Sequence, residues 1–218
     1  MSIYIEFTLI KGLCDNLFVF MLHKPSDEEV RNFIAVQARL PFSYMNVGAT
    51  KGHNAPDGYP VNRYRKELGK GRKTYASAAK ALYSWQMYSL DWTQIHPLKA
   101  AIKEGETVVV LAKHFGFFWS LNPCRVIYLI DEENEDVQRC GFAFGTLPAH
   151  SEEGEEQFVV ERDKNNDAVW YELYAFAKPK NILAKIGSPV VHHIQKQFAA
   201  ESSKAMLNAV NRAEIEDK

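Results

Sequence analysis

Thr107-Val-Val-Val-Leu-Ala-Lys-His-Phe115 opens the most regular part of the sequence, residues 106–178, where short apolar runs alternate with turn residues. Runs rich in Val, Ile and aromatic residues favour strands, and clusters of Gly, Pro, Asn and Asp between them favour turns. The pattern predicts an antiparallel sheet, with strands at residues 107–115, 124–130, 139–147, 156–162 and 169–177. Asp163-Lys-Asn-Asn-Asp167 has the composition of a hairpin loop between the last two strands.

The strand predicted at residues 139–147 alternates bulky with very small side chains. Because side chains in a strand alternate between the two faces, Phe142, Phe144 and Thr146 share one face, and the glycines and Ala143 share the other. A glycine inside a strand often marks a place where another group approaches the backbone closely.

The last predicted strand, residues 169–177, has an aromatic-rich face with one carboxylate in it, made of Trp170, Glu172, Tyr174 and Phe176. Such a face is expected of a cavity wall. An ordinary core under a helix predicts the same pattern, so both interpretations stay open.

Three helices are predicted around this sheet. Ser26-Asp-Glu-Glu29 is a capping box that begins a helix reaching about Ala38. A second helix of about three turns follows Thr74, its expected cap. Gly187-Ser188-Pro189 begins a third helix of roughly 20 residues, long enough to lie across the sheet, and residues 211–218 are expected to form a flexible tail.

Residues 42–73 lack a clear period and contain several glycines and prolines, which predicts a long ordered loop with a short strand near residues 44–50. A lid over a cavity is one interpretation. Its basic end is either a solvated loop or an anion site at a helix start, formed by Arg63, Arg65, Lys66, Lys70, Arg72 and Lys73.

Composition bounds the function. A chain of 218 residues suits one domain, and 26 basic against 27 acidic side chains disfavour nucleic acid as a partner. The three cysteines, Cys14, Cys124 and Cys140, form no disulfide framework or paired metal site, which favours a reducing, cytoplasmic location. The apolar run at residues 17–22 is far shorter than the ~20 residues that span a bilayer, and no signal peptide is evident.

Candidate chemistry is sparse. His150 and Glu152 form an HxE pair, but the downstream PCxxC of a zinc deaminase is missing, so we expect no metal and no cofactor. His150 could act as a base among the carboxylates of residues 146–156, or this stretch could be a solvated acidic bulge between strands. His192 and His193 cannot both face inward from one helix.

Several motifs together resemble the DUF1990 family, also called UPF0548, over about Met21 to Val210. They are Leu40-Pro-Phe-Ser-Tyr44, Val47-Gly-Ala-Thr50, Arg65-Lys-Glu-Leu-Gly-Lys-Gly71, Asn122-Pro-Cys-Arg-Val126, Gly141 to Glu156 and Val169-Trp170. Family members commonly begin near Met21, so residues 1–20 are interpreted as an extension of a single domain at 21–210. Ala149 stands where the family usually has glycine.

The resemblance implies an α+β fold, with a curved antiparallel sheet wrapped around a long C-terminal helix, similar to the START-like and Bet v 1-like helix-grip proteins. By analogy with that fold, the leading hypothesis is a small apolar or lipid-like ligand held between sheet and helix. The candidate ligand-binding residues are Arg125, Tyr128, Phe142, Phe144, Trp170, Glu172, Tyr174 and Phe176, with His150 as a further polar group.

Two alternatives remain. The first is an enzyme of cyclase, hydrolase or lyase type that uses His150 or Glu172 as a general base in the same cavity. The second is a module that binds an anion or nucleic acid through the basic segment at residues 62–73, with Arg65, Arg72 and Lys73 as the main contacts.

Overall fold

The structure is a computed structural model that describes residues 20–180 and 188–216. Its helices are α1 (Asp27–Gln37), α2 (Gly71–Tyr83) and α3 (Ser188–Glu216), with short 3-10 helices at Ala49–Gly52 and Gln86–Tyr88. Its strands are β1 (Phe20–Met21), β2 (Val61–Lys70), β3 (Thr93–His96), β4 (Thr107–His114), β5 (Phe118–Glu133), β6 (Val137–Thr146), β7 (Glu152–Asp163) and β8 (Ala168–Pro179).

The strands form one antiparallel sheet in the order β2-β8-β7-β6-β5-β4-β3, and β1 pairs with the start of β5. Register shifts in β2 and β5 mark bulges, which bend a sheet. The long helix α3 packs against β2 and β8 at one edge and against α2 and the second 3-10 helix. The predicted fold class, a curved antiparallel sheet around a C-terminal helix, is therefore confirmed.

The two faces of the sheet have different covers. The inner face packs against α2 and α3, and its fully buried side chains include Phe142, Phe158 and Tyr171. The outer face is covered by α1, whose Val30 contacts the β4 side chains Val109 and Leu111, and by the segment at residues 42–59. That segment, here called the outer cover, brings aromatic and apolar side chains onto β8, among them Phe42, Tyr44, Ala49, Ala55 and Tyr59.

The prediction of a loop at residues 42–73 is wrong for the second half of that range, where β2 occupies residues 61–70. The short strand expected near residues 44–50 is also absent, and the 3-10 helix at residues 49–52 lies there instead. β2 is an edge strand that pairs only with β8, and its outer side chains are charged and mostly exposed. The apolar alternation that identifies a strand is therefore weak.

The predicted helices lie where they were expected, but the predicted N-terminal cap of α2 is wrong. The capping box of α1 is confirmed, because Ser26 Oγ accepts from the Glu29 amide and the Glu29 carboxylate accepts from the Ser26 amide. α2 begins at Gly71, so Thr74 is not its cap. Thr74 instead lies inside the first turn and donates its hydroxyl to the Lys70 carbonyl oxygen at 2.8 Å.

The third helix is longer than expected. α3 spans 29 residues and continues to Glu216, so most of the predicted tail at residues 211–218 is helical. The interpretation of residues 1–20 as an extension, and Cys14, lie outside the described residues apart from Phe20 in β1. Among residues 20–180 and 188–216, none of the helices combines the length and the apolar composition that a membrane crossing requires.

Candidate functional site

The start of β7 carries four glutamates that the strand divides between the two faces of the sheet. Residues 146–156 were expected to include a solvated acidic bulge, but the strand begins at Glu152. Because of the period of two, Glu153 and Glu155 point to the outer face and Glu152 and Glu156 to the inner face. The start of β7 therefore places two carboxyl groups on each face of the sheet.

On the outer face, Glu155 fixes the outer cover. Its side chain is 2% exposed, and its carboxylate accepts hydrogen bonds from Tyr44 Oη at 2.7 Å, the Gly48 amide at 2.7 Å, the Thr50 amide at 3.0 Å and the Thr50 hydroxyl. Gly48 has a φ of 89°, a left-handed conformation that suits glycine and lets its amide point at the carboxylate. Glu155 thus ties the start of the 3-10 helix to β7 through hydrogen bonds.

On the inner face, Glu156 lies in aromatic surroundings. Phe144 and Ala175 are its cross-strand neighbours, and Tyr88 Oη donates a hydrogen bond of 3.2 Å to its Oε2. Burial raises the pKa of Glu156 to about 8, with a smaller contribution from the charge of Glu152. Glu156 therefore holds its proton at neutral pH in the free protein.

Glu152 is the second inward carboxyl group. Gln195 on α3 donates its Nε2 amide to Glu152 Oε1 at 2.5 Å, which ties the helix to the end of the sheet. Burial raises the pKa of Glu152 to about 7. Among the described residues, none of the ion pairs includes Glu152 or Glu156, so no cation compensates either carboxylate.

Glu152 and Glu156 are surrounded by protein, but their side chains are not completely buried. Each side chain stays partly accessible, although burial dominates its pKa. Within the described part of the chain, the one hydrogen bond to the Glu156 carboxyl group comes from Tyr88 Oη and reaches Oε2. Glu156 therefore accepts fewer hydrogen bonds from the described residues than Glu155, which accepts four.

The side chains of the inner face are smaller beside these two glutamates than elsewhere on that face. Large side chains such as Phe158 and Leu173 fill one end of the interior, whereas Cys124, Gly154 and Ala175 surround the carboxyl groups. Tyr171 and Ser202 meet at the edge of this area with their oxygens 3.5 Å apart. Along β7 and β8 the inner face therefore changes from large apolar side chains to small side chains and carboxyl groups.

A surface cleft of about 420 Å³ lies next to the same tyrosine. Its walls come from the second 3-10 helix, from β3 and from the side chains of Lys24, Trp92 and Trp119. Tyr88 lines the cleft and also donates to Glu156, so this residue separates the cleft from the inner carboxyl group.

The eight ligand-binding residues predicted from the sequence do not share one face, so they cannot line one cavity as a set. Phe142 and Phe144 face inward, 5.4 and 5.5 Å from the Phe158 ring. The other six lie on the outer face of the sheet, and they are Arg125, Tyr128, Trp170, Glu172, Tyr174 and Phe176. The bulge between Val126 and Tyr128 changes the facing along β5, which sequence spacing alone does not reveal.

Several of the outward residues have structural partners. Arg125 Nη2 donates to the carbonyl oxygens of Ala38 and Leu40, each at 2.9 Å, at the C-terminus of α1. Tyr128 Oη lies 2.7 Å from Thr50 Oγ1. The Phe176 ring packs against Tyr59, with 5.4 Å between ring centroids.

Glu172 and the basic residues of β2 form an ion-pair network on the outer face. Arg63 Nη2 lies 3.0 Å from Glu172, and Arg65 Nη2 lies 2.6 Å from Glu161 and stacks on the Trp170 ring. Arg63 and Arg65 are therefore strand residues with carboxylate partners. Arg72 and Lys73 are exposed in the first turn of α2, whereas Arg65 lies on β2.

His150 lies at the entry to β7. Its Nδ1 accepts a hydrogen bond of 2.9 Å from the Glu152 amide. Burial lowers its pKa to about 4, so the ring is neutral near pH 7 and its Nδ1 is occupied. His193 is exposed on α3, and the side chain of His192 lies outside the described residues.

Sequence reasoning missed the residues that meet at the inner site. Glu156 could have been found, because Glu152, Gly154, Glu156, Phe158 and Val160 share a period of two that continues into the predicted strand. Tyr88 and Gln195 carry no local signal. They reach the site only because the second 3-10 helix and α3 pack over β7.

Comparison with known sequences gives one family. The profile described as "Domain of unknown function (DUF1990)" matches residues 43–205. A UPF0548 protein of Dictyostelium discoideum is 33% identical over 208 residues, which cover 88% of this chain and 96% of that protein. A UPF0548 protein of Arabidopsis thaliana is 35% identical over 158 residues, covering 71% of this chain and 75% of that protein.

Among solved structures, a START superfamily protein from Mycobacterium smegmatis is similar with a TM-score of 0.47 and 12% identity, covering 72% of this chain and 99% of that one. The fold class stated above rests on the strand order and on the helix that crosses the sheet, not on this likeness.

Proposed function

The chain belongs to the DUF1990 (UPF0548) family, and from the geometry of its inner site we propose that it binds a small, mostly apolar molecule between the sheet and α3. The polar end of that molecule contacts the carboxyl groups of Glu152 and Glu156. Its apolar body lies against the aromatic side chains of Tyr88, Phe144 and Phe198.

One observation carries the proposal. Glu156 is enclosed, accepts a single hydrogen bond from the described residues, and lies between the small side chain of Ala175 and the aromatic side chain of Phe144. Keeping a carboxyl group in such a place costs folding free energy, because burial opposes ionisation. Ligand sites combine an apolar wall with a few polar groups in this way.

Catalysis by the residues predicted from sequence has less support. Glu172 is held by arginines on the outer face, and His150 is occupied by a backbone amide. An anion or nucleic-acid site on β2 has less support too, because Arg63 and Arg65 already bind carboxylates.

The test measures binding of straight-chain alcohols, from hexan-1-ol to decan-1-ol. Binding is detected as an increase in the melting temperature of the protein, which a ligand specific for the folded state produces. Ala175→Leu fills the space beside Glu156 and is expected to abolish the shift. Ala76→Leu, on the exposed side of α2, is the matched control and is expected to preserve it. No shift for any chain length in the wild type would contradict the proposal.

A further inference from the structure

We infer that the ligand of the inner site carries a basic nitrogen, whose ammonium group binds Glu156 within the field of Glu152. The inference rests on the proposed function and adds the chemical class of the ligand. It follows from the two carboxyl groups on the inner face and from the absence of a lysine or arginine partner for them among the described residues.

The first step is the charge balance of the site. Two carboxyl groups face one interior, and the negative charge of Glu152 is close enough to affect the ionisation of Glu156. In the described structure neither has a lysine or arginine partner, whereas the outward glutamates Glu153, Glu161 and Glu172 all do. A buried carboxylate is stabilised by several hydrogen bonds, as Glu155 is, or otherwise by a positive charge or a proton, and Glu156 accepts one hydrogen bond from the described residues.

The second step concerns the other titratable groups around Glu156. Tyr88 on the second 3-10 helix, Cys124 on β5 and Tyr171 on β8 all have a raised pKa, chiefly because of burial, so they remain neutral. Among the described side chains of α3, the neighbours Gln195, Phe198 and Ser202 carry no charge. Lys180 lies beside His150 and donates its ammonium to the Pro148 carbonyl oxygen.

The third step is the shape of the site around the expected cation. The rings of Tyr88 and Phe198 lie 4.9 Å apart between centroids, and Phe144 lies 6.2 Å from Tyr88. Aromatic faces attract an ammonium group and also cover the apolar carbon atoms next to it. An alkylamine or arylalkylamine satisfies both the acidic and the aromatic parts of the site.

These steps make binding depend on pH in a defined direction. The free protein keeps Glu156 protonated at neutral pH, so an ammonium ligand has to displace that proton. Affinity is therefore expected to rise from pH 6 to pH 8.5, by roughly tenfold per pH unit below the carboxyl pKa, and then to level off. The amine itself stays charged over this range, as lysine does.

The experiment compares two probe series of equal length, hexylamine to decylamine and hexan-1-ol to decan-1-ol, by isothermal titration calorimetry on the full chain. In phosphate and Tris buffers at pH 7 the amine is expected to release about one proton, and the alcohol none. At pH 8.5 the amine is expected to bind at least roughly tenfold more tightly than the alcohol of equal length.

Three variants separate the contributions. Glu156→Gln is expected to remove the preference for the amine and the proton release, and Glu152→Gln to reduce the preference by roughly threefold. Glu135→Gln, on an exposed turn, is the matched control and is expected to behave like the wild type. Each variant is first checked for cooperative unfolding.

The outcomes distinguish the two proposals. Binding of alcohols without tighter binding of amines overturns the ammonium inference and leaves the proposed site intact. Amine preference that persists in Glu156→Gln also overturns the inference, because the cation then binds elsewhere. Failure of both series to bind overturns both proposals together.

Discussion

Glu155 and Glu156 are consecutive residues whose carboxyl groups accept hydrogen bonds from tyrosines on opposite sides of the sheet. Tyr44 Oη donates to Glu155 at 2.7 Å in the outer cover, and Tyr88 Oη donates to Glu156 at 3.2 Å in the interior. From the described residues, Glu155 accepts four hydrogen bonds and Glu156 accepts one. Glu155 therefore has the structural role of the pair, and Glu156 is the one for which we propose a binding role.

Glu155→Gln is expected to lower the free energy of unfolding by about 2–4 kcal/mol, because its amide group would face four donors with only one acceptor oxygen. Urea denaturation followed by tryptophan fluorescence measures the loss. Glu153→Gln, whose carboxylate pairs with the half-exposed Lys178, is the control and should cost less than about 1 kcal/mol. Equal losses in the two variants would show that the outer cover does not depend on Glu155.

Glu156→Gln is expected to change how stability depends on pH. The folded-state pKa of Glu156 is raised to about 8 from its ordinary value of 4.5. Between these two values the unfolded chain releases the proton and the folded chain keeps it, so wild-type stability falls as pH rises. The glutamine cannot ionise, so the variant should gain about 1–3 kcal/mol relative to wild type between pH 4.5 and pH 8.

Denaturation curves at pH 4.5, 6, 7 and 8 measure this gain. Glu152 and His150 titrate in both proteins, so the difference between the proteins reports the ionisation of Glu156 together with its coupling to Glu152. A stability difference that stays constant with pH would mean that Glu156 is already ionised in the folded protein.

Arg125→Lys is expected to weaken the attachment of α1. The Arg125 guanidinium binds carbonyl oxygens at the C-terminus of that helix and lies over the Phe42 ring, and lysine lacks the planar group that does both. We expect a loss of about 1–2 kcal/mol and faster hydrogen exchange in the last turn of α1. Arg31→Lys, on the exposed side of the same helix, should leave both unchanged. Unaltered exchange in Arg125→Lys would refute this role.

Gly145→Ala tests the close approach that the strand glycines predicted. A Cβ at this position would overlap the Tyr44 ring, whose Cζ would lie 2.9 Å away. We expect a loss of about 1–3 kcal/mol, as for other overpacked sites. Tyr44→Ala in the same background should make the alanine nearly neutral. A denaturation midpoint unchanged by Gly145→Ala alone would contradict the packing described.

The elements that follow from local pattern could be predicted. The capping box placed α1, and the alternating runs after Thr107 placed the five strands, although β5 begins six residues before the predicted start, at Phe118. Both signals are carried by neighbours in sequence. The start of β7 could not be recognised as a strand. Its four glutamates have partners that are distant in sequence. Tyr44, for example, donates to Glu155 from 111 residues away.

The inner site was missed for a related reason. The aromatic face of β8 suggested a cavity wall, but the outer cover packs on that face and uses the aromatic rings as core. Which face of a two-sided sheet encloses space depends on the packing of α3 and the outer cover, and strand periodicity is the same for either choice.

The most direct test of the central claim is nuclear magnetic resonance of the chain labelled at its alanine methyl groups, titrated with octan-1-ol. Ala175 lies on the inner face beside Glu156, and Ala143 lies buried on the outer face. A saturable shift of the Ala175 resonance, with that of Ala143 unmoved, is the predicted result. A shift at Ala143 with Ala175 unmoved, or no saturable shift at Ala175, would contradict binding between the sheet and α3.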